Sequence, residues 1–239
     1  MNLSLGASPC IRSRSWAVVA VLWLGACTTQ PSTTSNAPLQ PEIATGFTRK
    51  ADVVSQKFAV AAANPLATQA GFNVLKAGGS AVDAAIAVQM VLSLVEPQSS
   101  GIGGGAFLLH SAAGEGANKV QAFDGRETAP AAATEDMLLN ADGKPLAFHA
   151  AVVGGRSVGT PGVLRMLAQA HAQHGKLPWA KLFEPAVNLA TRGFAISPRL
   201  HAQLKADAYL RLDPTARAYF YQANGEPHAV GHLLRNPEL

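Results

Sequence analysis

From Phe58 onward the apolar positions fall into blocks, and a turn or cap residue closes each one. Phe58-Ala-Val-Ala-Ala-Ala63 is a short apolar run between polar neighbours, which predicts a buried strand. Asn64-Pro65 then places an N-cap residue before a proline at the first helical position. A helix is predicted from Leu66 to Lys76, stopped by Gly78-Gly79. Ser80 and Asp83 have the spacing of a capping box, in which the cap side chain and the acid three residues later satisfy each other's backbone N–H. The helix they open, Ala81 to Val95, is apolar almost all round, so it is predicted to be buried rather than amphipathic, and Glu96-Pro97 ends it.

The glycine cluster Gly101-Ile-Gly-Gly-Gly105 follows. Ala106–His110 and Lys119–Phe123 then read as a strand pair, with Gly114-Glu-Gly116 in the turn between them. Asp124-Gly-Arg-Glu-Thr-Ala-Pro130 is a polar loop leaving the second strand. Thr160-Pro161 and Ser197-Pro198 repeat the cap-proline start of a helix, and Pro178 to Thr191 is a further helical stretch ended by Gly193. Helices alternate with strands that meet in hairpins, an α+β order without regular βαβ units.

Composition changes this picture mainly at the N-terminus. Within 239 residues, 48% hydrophobic and 14% charged, there is enough apolar matter for a sizeable core. Arg12 and Arg14 precede the apolar run Trp16–Leu24, which has the length of a signal-peptide core and falls short of the roughly twenty residues of a membrane span. Leu24-Gly-Ala-Cys27 resembles a bacterial lipobox, so residues 1–26 are expected to be a lipoprotein-type signal peptide and Cys27 the lipidated residue. An ordinary secretory signal with an incidental Cys27 is the alternative. Cleavage removes Arg12 and Arg14, lowering the formal charge from +4 to +2, which leaves no footprint for nucleic acid. It also removes Cys10, so the mature chain has neither a disulfide nor a cysteine-based metal site. Residues 27–46 read as a flexible tether and 47–239 as the folded part.

Candidate chemistry is sparse. The glycine cluster follows a helix and precedes a strand, the reverse of a phosphate loop, and no Lys-Ser/Thr pair accompanies it. Close backbone packing, or a loop approaching a small ligand, explains it better. His171 and His174 stand three apart on a predicted helix, but a metal needs further ligands, and a solvated helical face is the simpler account. His110, His149, His201, His228 and His232 show no partner spacing, and no Gly-x-Ser-x-Gly elbow is present. Arg126 stands just after a strand, where its guanidinium could grip a carboxylate with two parallel hydrogen bonds. On spacing alone, an ion pair with Asp124 or Glu127 is the stronger account.

Six stretches together resemble the N-terminal part of a γ-glutamyltransferase (glutathione hydrolase) proenzyme. They are Ala63-Asn-Pro-Leu-Ala-Thr68, Leu75-Lys-Ala-Gly-Gly-Ser-Ala-Val-Asp-Ala-Ala85, Glu96-Pro-Gln-Ser-Ser-Gly-Ile-Gly-Gly-Gly105, Phe123-Asp-Gly-Arg-Glu-Thr-Ala-Pro130, Gly159-Thr-Pro-Gly162 and His174-Gly-Lys-Leu-Pro-Trp179. The resemblance runs from about Phe58 to Leu239. It implies a four-layer αββα N-terminal-nucleophile hydrolase fold, here an incomplete, N-terminal portion. It implies a precursor that cuts itself into two subunits and exposes an N-terminal threonine, which attacks the γ-glutamyl amide with its own α-amine as base.

Glutathione is then the expected donor and water, an amino acid or a peptide the acceptor, with no metal or organic cofactor. Arg126 matches the arginine that binds the donor α-carboxylate, which shifts its expected role from ion pair to substrate contact. The nucleophilic threonine is expected beyond Leu239, since the only Thr-Thr pairs, Thr28-Thr29 and Thr33-Thr34, lie in the tether. The 239 residues alone are therefore expected to be inactive, to expose apolar surface and to fold poorly, and the small subunit of the same precursor is an expected partner. The expected location is the periplasm, lipid-anchored to a bacterial membrane, the outer one first, or secreted if the lipobox is not used. A related cephalosporin-acylase-type hydrolase and a non-catalytic lipoprotein are the competing expectations.

Overall fold

The computed structural model describes residues 51–112 and 119–239. The signal peptide, the tether, Cys27, the start of the folded part at Phe47 and the turn Gly114-Glu-Gly116 lie outside the described residues. Within them the chain is α+β. Helix α1, Pro65–Lys76, begins as expected: the Asn64 side chain accepts the Leu66 N–H and Pro65 takes the first turn. Helix α2, Ala81–Val95, opens on the Ser80–Asp83 capping box with both hydrogen bonds formed. The run Phe58–Ala63 is not a strand. It is extended, alternately half-buried and exposed, and has no ladder partner among the described residues. The apolar run specified the pleat, but pairing requires a neighbouring edge.

Strands β1 (Ala106–Ser111) and β2 (Val120–Gly125) form an antiparallel hairpin in which Leu108 faces Phe123 and Phe107 faces Asp124. Its inner face carries Ala106, Leu108, His110, Gln121, Phe123 and Gly125. Its outer face is apolar and bare: Phe107 is 66% exposed, Leu109 74% and Val120 57%. Short helix α3, Phe148–Val152, was not anticipated. Helix α4 spans Val163–His174 and starts two residues after Pro161, with Gly162 as its cap residue and no side-chain cap. The expected single helix from Pro178 is broken into a 3-10 turn, Trp179–Leu182, and α5, Glu184–Arg192, whose end at Gly193 requires a positive φ of 97°. Strand β3 (Phe194–Ala195) pairs antiparallel with β4 (Leu233–Leu234), and between them lie α6 (Pro198–Ala206), capped by Ser197, a 3-10 turn (Leu210–Leu212) and α7 (Pro214–Phe220).

Helix α2 is apolar all round because it serves two cores. Val82, Ala84, Ile86, Ala87 and Met90 pack with Val74, Phe123, Met166, Leu167 and Leu182. Val91, Leu94 and Val95 pack instead with Phe194, Ile196, Leu200, Leu204, Tyr221 and Leu234. A helix with one wet face would leave one of these clusters without its central wall.

Candidate functional site

The end of β2, the glycine segment and the start of α4 converge on Arg126 and Glu127. Two backbone hydrogen bonds join Thr128 and Thr160, of 2.8 and 3.3 Å. The carbonyl of Gly104 accepts from the N–H groups of Gly162 and Val163, each at 3.2 Å. It thereby satisfies the first donors of α4, the role expected of Thr160. The glycines in this knot are packing requirements. A Cβ at Gly105 would stand 2.6 Å from Glu127 Oε2 and 2.9 Å from Arg126 Cα, and one at Gly162 would stand 2.5 Å from the Gly125 carbonyl oxygen. Gly125 meets Met166 and Gly159 meets Glu127 in the same way. The expectation of tight backbone packing therefore holds for Gly104 and Gly105. It does not hold for Gly103, where a Cβ would meet nothing within 4 Å.

Arg126 stands one residue past β2 and keeps the parity of the bare outer face. Its backbone N–H donates to Asp124 Oδ1 at 2.8 Å, an Asx turn that fixes the strand exit. Its side chain is 70% exposed, with Nε 3.5 Å from Glu127 Oε2. The ion pair inferred from spacing is thus present with Glu127, while Asp124 bonds the backbone instead. Among the described residues the two terminal nitrogens of the guanidinium have no partner, and they form the fork that a carboxylate would fill. Glu127 Oε2 is itself buried and accepts no hydrogen bond. A buried carboxylate oxygen without a donor is costly, and the nearest cationic group is Arg126.

The histidine pair resolves differently from the solvated face expected of it. His171 turns to the base of α2, with Nε2 2.9 Å from the Leu177 carbonyl oxygen and 3.5 Å from Asp83 Oδ1, and its ring edge on Trp179. His174 turns to the hairpin, stacked on His110 at 3.8 Å with Nε2 2.7 Å from Gln121 Oε1. Positions three apart diverge because each is drawn into packing with a different element, α2 or the hairpin. Among the described residues, no group of three or more His, Cys, Asp or Glu could hold a metal ion. His228 stacks on His232 at 4.0 Å, and His149 on Tyr209 at 4.5 Å.

Sequence reasoning missed a buried carboxylate. Glu96, 2% exposed at the end of α2, accepts from Asn64 Nδ2 at 2.8 Å, Gln98 Nε2 at 2.6 Å and Arg199 NH1 at 2.7 Å. The one sequence signal was an acid placed directly against the apolar run of α2; its cationic partner lies too far along the chain for spacing to reveal.

Comparison with known proteins identifies relatives of the chain. The family model described as gamma-glutamyltranspeptidase matches residues 67–239. The chain is similar to glutathione hydrolase 3 of Arabidopsis thaliana, 42% identical over 191 residues, covering 79% of this chain and 28% of the relative. It is similar to the glutathione hydrolase proenzyme of Bacillus subtilis strain 168, 41% identical over 181 residues, 75% of this chain and 30% of the relative. Among solved structures it is similar to the gamma-glutamyltranspeptidase of Helicobacter pylori, with a TM-score of 0.72 and 29% identity over 79% of this chain and 53% of that one. The chain thus spans 28 to 30% of the length of these two curated relatives. Its architecture is the N-terminal portion of an N-terminal-nucleophile hydrolase fold.

Proposed function

The chain belongs to the gamma-glutamyltranspeptidase family, and from that premise we propose that it supplies the donor-carboxylate clamp of a γ-glutamyl-transferring enzyme. Such an enzyme moves the γ-glutamyl group of glutathione or a related amide to water, an amino acid or a peptide. The observation that carries this reading is Arg126, whose open guanidinium fork sits on a backbone knot that five close-packed glycines allow. Glu127 engages the Nε side of the guanidinium, and the two terminal nitrogens remain for the α-carboxylate of the donor. A charge-assisted pair of this kind positions the donor amide and takes no part in bond breaking. The threonine nucleophile and its α-amine base would come from sequence that this family carries outside the span matched here.

The bare outer face of the hairpin supports a second element of the proposal. Phe107, Leu109 and Val120 form an apolar patch of the kind a partner covers, and the small subunit of the same precursor is the proposed cover. The N-terminal segment supports a third: cleavage before Cys27 and lipidation of its thiol would tether the enzyme to the periplasmic side of a bacterial membrane. Cys27→Ser would then release the protein from the membrane fraction.

Arg126→Lys in the complete enzyme tests the central claim. Lysine keeps the charge and loses the fork, so the KM for a γ-glutamyl anilide donor should rise about tenfold or more with a smaller change in kcat. A donor KM equal to that of the wild type would sink the assignment.

A further inference from the structure

We infer that Glu96 and Arg199 are positioning residues for donor recognition, acting on Arg126 through the segment 97–105; the inference rests on the role of Arg126 proposed above. Glu96 caps the C-terminal end of α2, the end where the helix dipole disfavours an anion. Its carboxylate is kept there by three donors, of which Arg199 is the cation. The same Arg199 NH1 also donates to Ser99 Oγ at 2.9 Å. The N–H groups of Ser99 and Ser100 return to the Glu96 carbonyl, each at 3.0 Å. Gln89, two turns back on α2, holds Ser100 Oγ at 2.9 Å and the Gly101 carbonyl at 3.2 Å. Residues 96–101 are therefore fastened along their whole length.

The other end of the segment is fastened as firmly. Gly104 gives its carbonyl to α4, and Gly105 abuts Glu127 Oε2 and Arg126 Cα. Between the two fastenings lie only Ile102 and Gly103, and a Cβ at Gly103 would meet nothing within 4 Å. With so short a free span, a shift at Ser99 must be taken up at Gly104 and Gly105, against the backbone of the clamp itself. Such displacements matter to a binding fork, because its alignment tolerates little misplacement. Burying an ion pair is a poor way to gain stability over apolar packing, whereas it fixes geometry at both of its ends.

A double-mutant cycle on the complete enzyme separates positioning from mere support. Ser99→Ala removes the loop end of the bridge without burying an unpaired charge, and Glu96→Gln removes its ionic part. Donor KM is expected to rise about threefold and about tenfold respectively, with kcat within about twofold. In an Arg126→Lys background, Ser99→Ala should add almost nothing. If the two effects multiply, or if Ser99→Ala leaves donor KM unchanged while Arg126→Lys raises it, the positioning role is overturned and the clamp stands. If Arg126→Lys itself leaves donor KM unchanged, the clamp fails and the positioning role with it. Should Glu96→Gln not fold, Ser99→Ala carries the cycle alone.

Discussion

The two ends of α2 each bury a carboxylate, and they solve the same problem with different chemistry. Asp83, wholly buried near the N-terminus, is held chiefly by backbone: its Oδ2 accepts N–H groups from Ser80 at 2.8 Å, Lys176 at 2.9 Å and Leu177 at 3.1 Å, while His171 Nε2 stands 3.5 Å from its Oδ1. The positive end of the helix dipole adds to that field. Glu96, at the opposite end, faces the negative pole and has a guanidinium and two side-chain amides around it. A buried anion is thus held by backbone N–H groups where the dipole helps and by a side-chain cation where it opposes, and both sets of donors include residues far along the chain. The first arrangement anchors the loop after α4, and the second anchors the segment leading to Arg126.

Removing Asp83 should break the comparison hardest. Asp83→Ala leaves three partly buried backbone donors without their acceptor and empties a wholly buried site, and the purified protein should lose about 4 kcal/mol in urea unfolding. A loss under about 1 kcal/mol would mean that water takes over the site. Glu96→Gln should cost less, about 2–3 kcal/mol, because Arg199 is partly exposed and can turn to solvent. The double variant Glu96→Gln/Arg199→Met sharpens the contrast. It removes the cation together with its anion, so it should be more stable than Glu96→Gln alone. If the double variant is the less stable of the two, the ion pair is not what makes the single replacement costly.

The same contrast explains what the sequence disclosed. Ser80-x-x-Asp83 and Asn64-Pro65 are local signals, read within a turn of helix, and both caps form as their spacing predicts. The strand pair was equally local, two short runs on either side of Gly114-Glu-Gly116. Glu96–Arg199 joins positions 103 residues apart, and no local pattern encodes that meeting. Phe58–Ala63 was misread because an apolar run specifies an extended chain but says nothing about a partner edge. His171 and His174 were misread because helical spacing says which face a residue shares, not which neighbours crowd it. Arg126 was visible as a residue but its setting was not: the meeting of Gly104, Gly105, Gly159 and Gly162 around residues 125–128 is a tertiary fact. Resemblance to a family supplied the role that spacing alone had assigned to an ion pair.

A third buried-charge problem, at the surface end of the scale, gives the smallest effect. His228 stacks on the His232 ring at 4.0 Å, and its backbone carbonyl accepts from or faces His201 Nδ1 at 2.9 Å on α6. Desolvation first, and the neighbouring His232 second, push the His228 imidazole below its usual value of 6.5. Among the described residues no carboxylate pairs with it as Arg199 pairs with Glu96. The sign follows from linkage: a group whose value is depressed in the folded state contributes stability above its unfolded value, and that stability is lost as pH falls through the folded one. The purified protein should therefore weaken slightly as pH drops below about 6.5, where the unfolded chain takes up the proton that His228 resists in the fold. The loss should be felt where His232 O accepts from Ile196 and Leu233 pairs with Ala195, at the β3–β4 junction. His228→Gln should flatten that acid slope in urea midpoints taken from pH 7.5 to 5.5. An unchanged slope would mean that His228 does not carry the acid sensitivity.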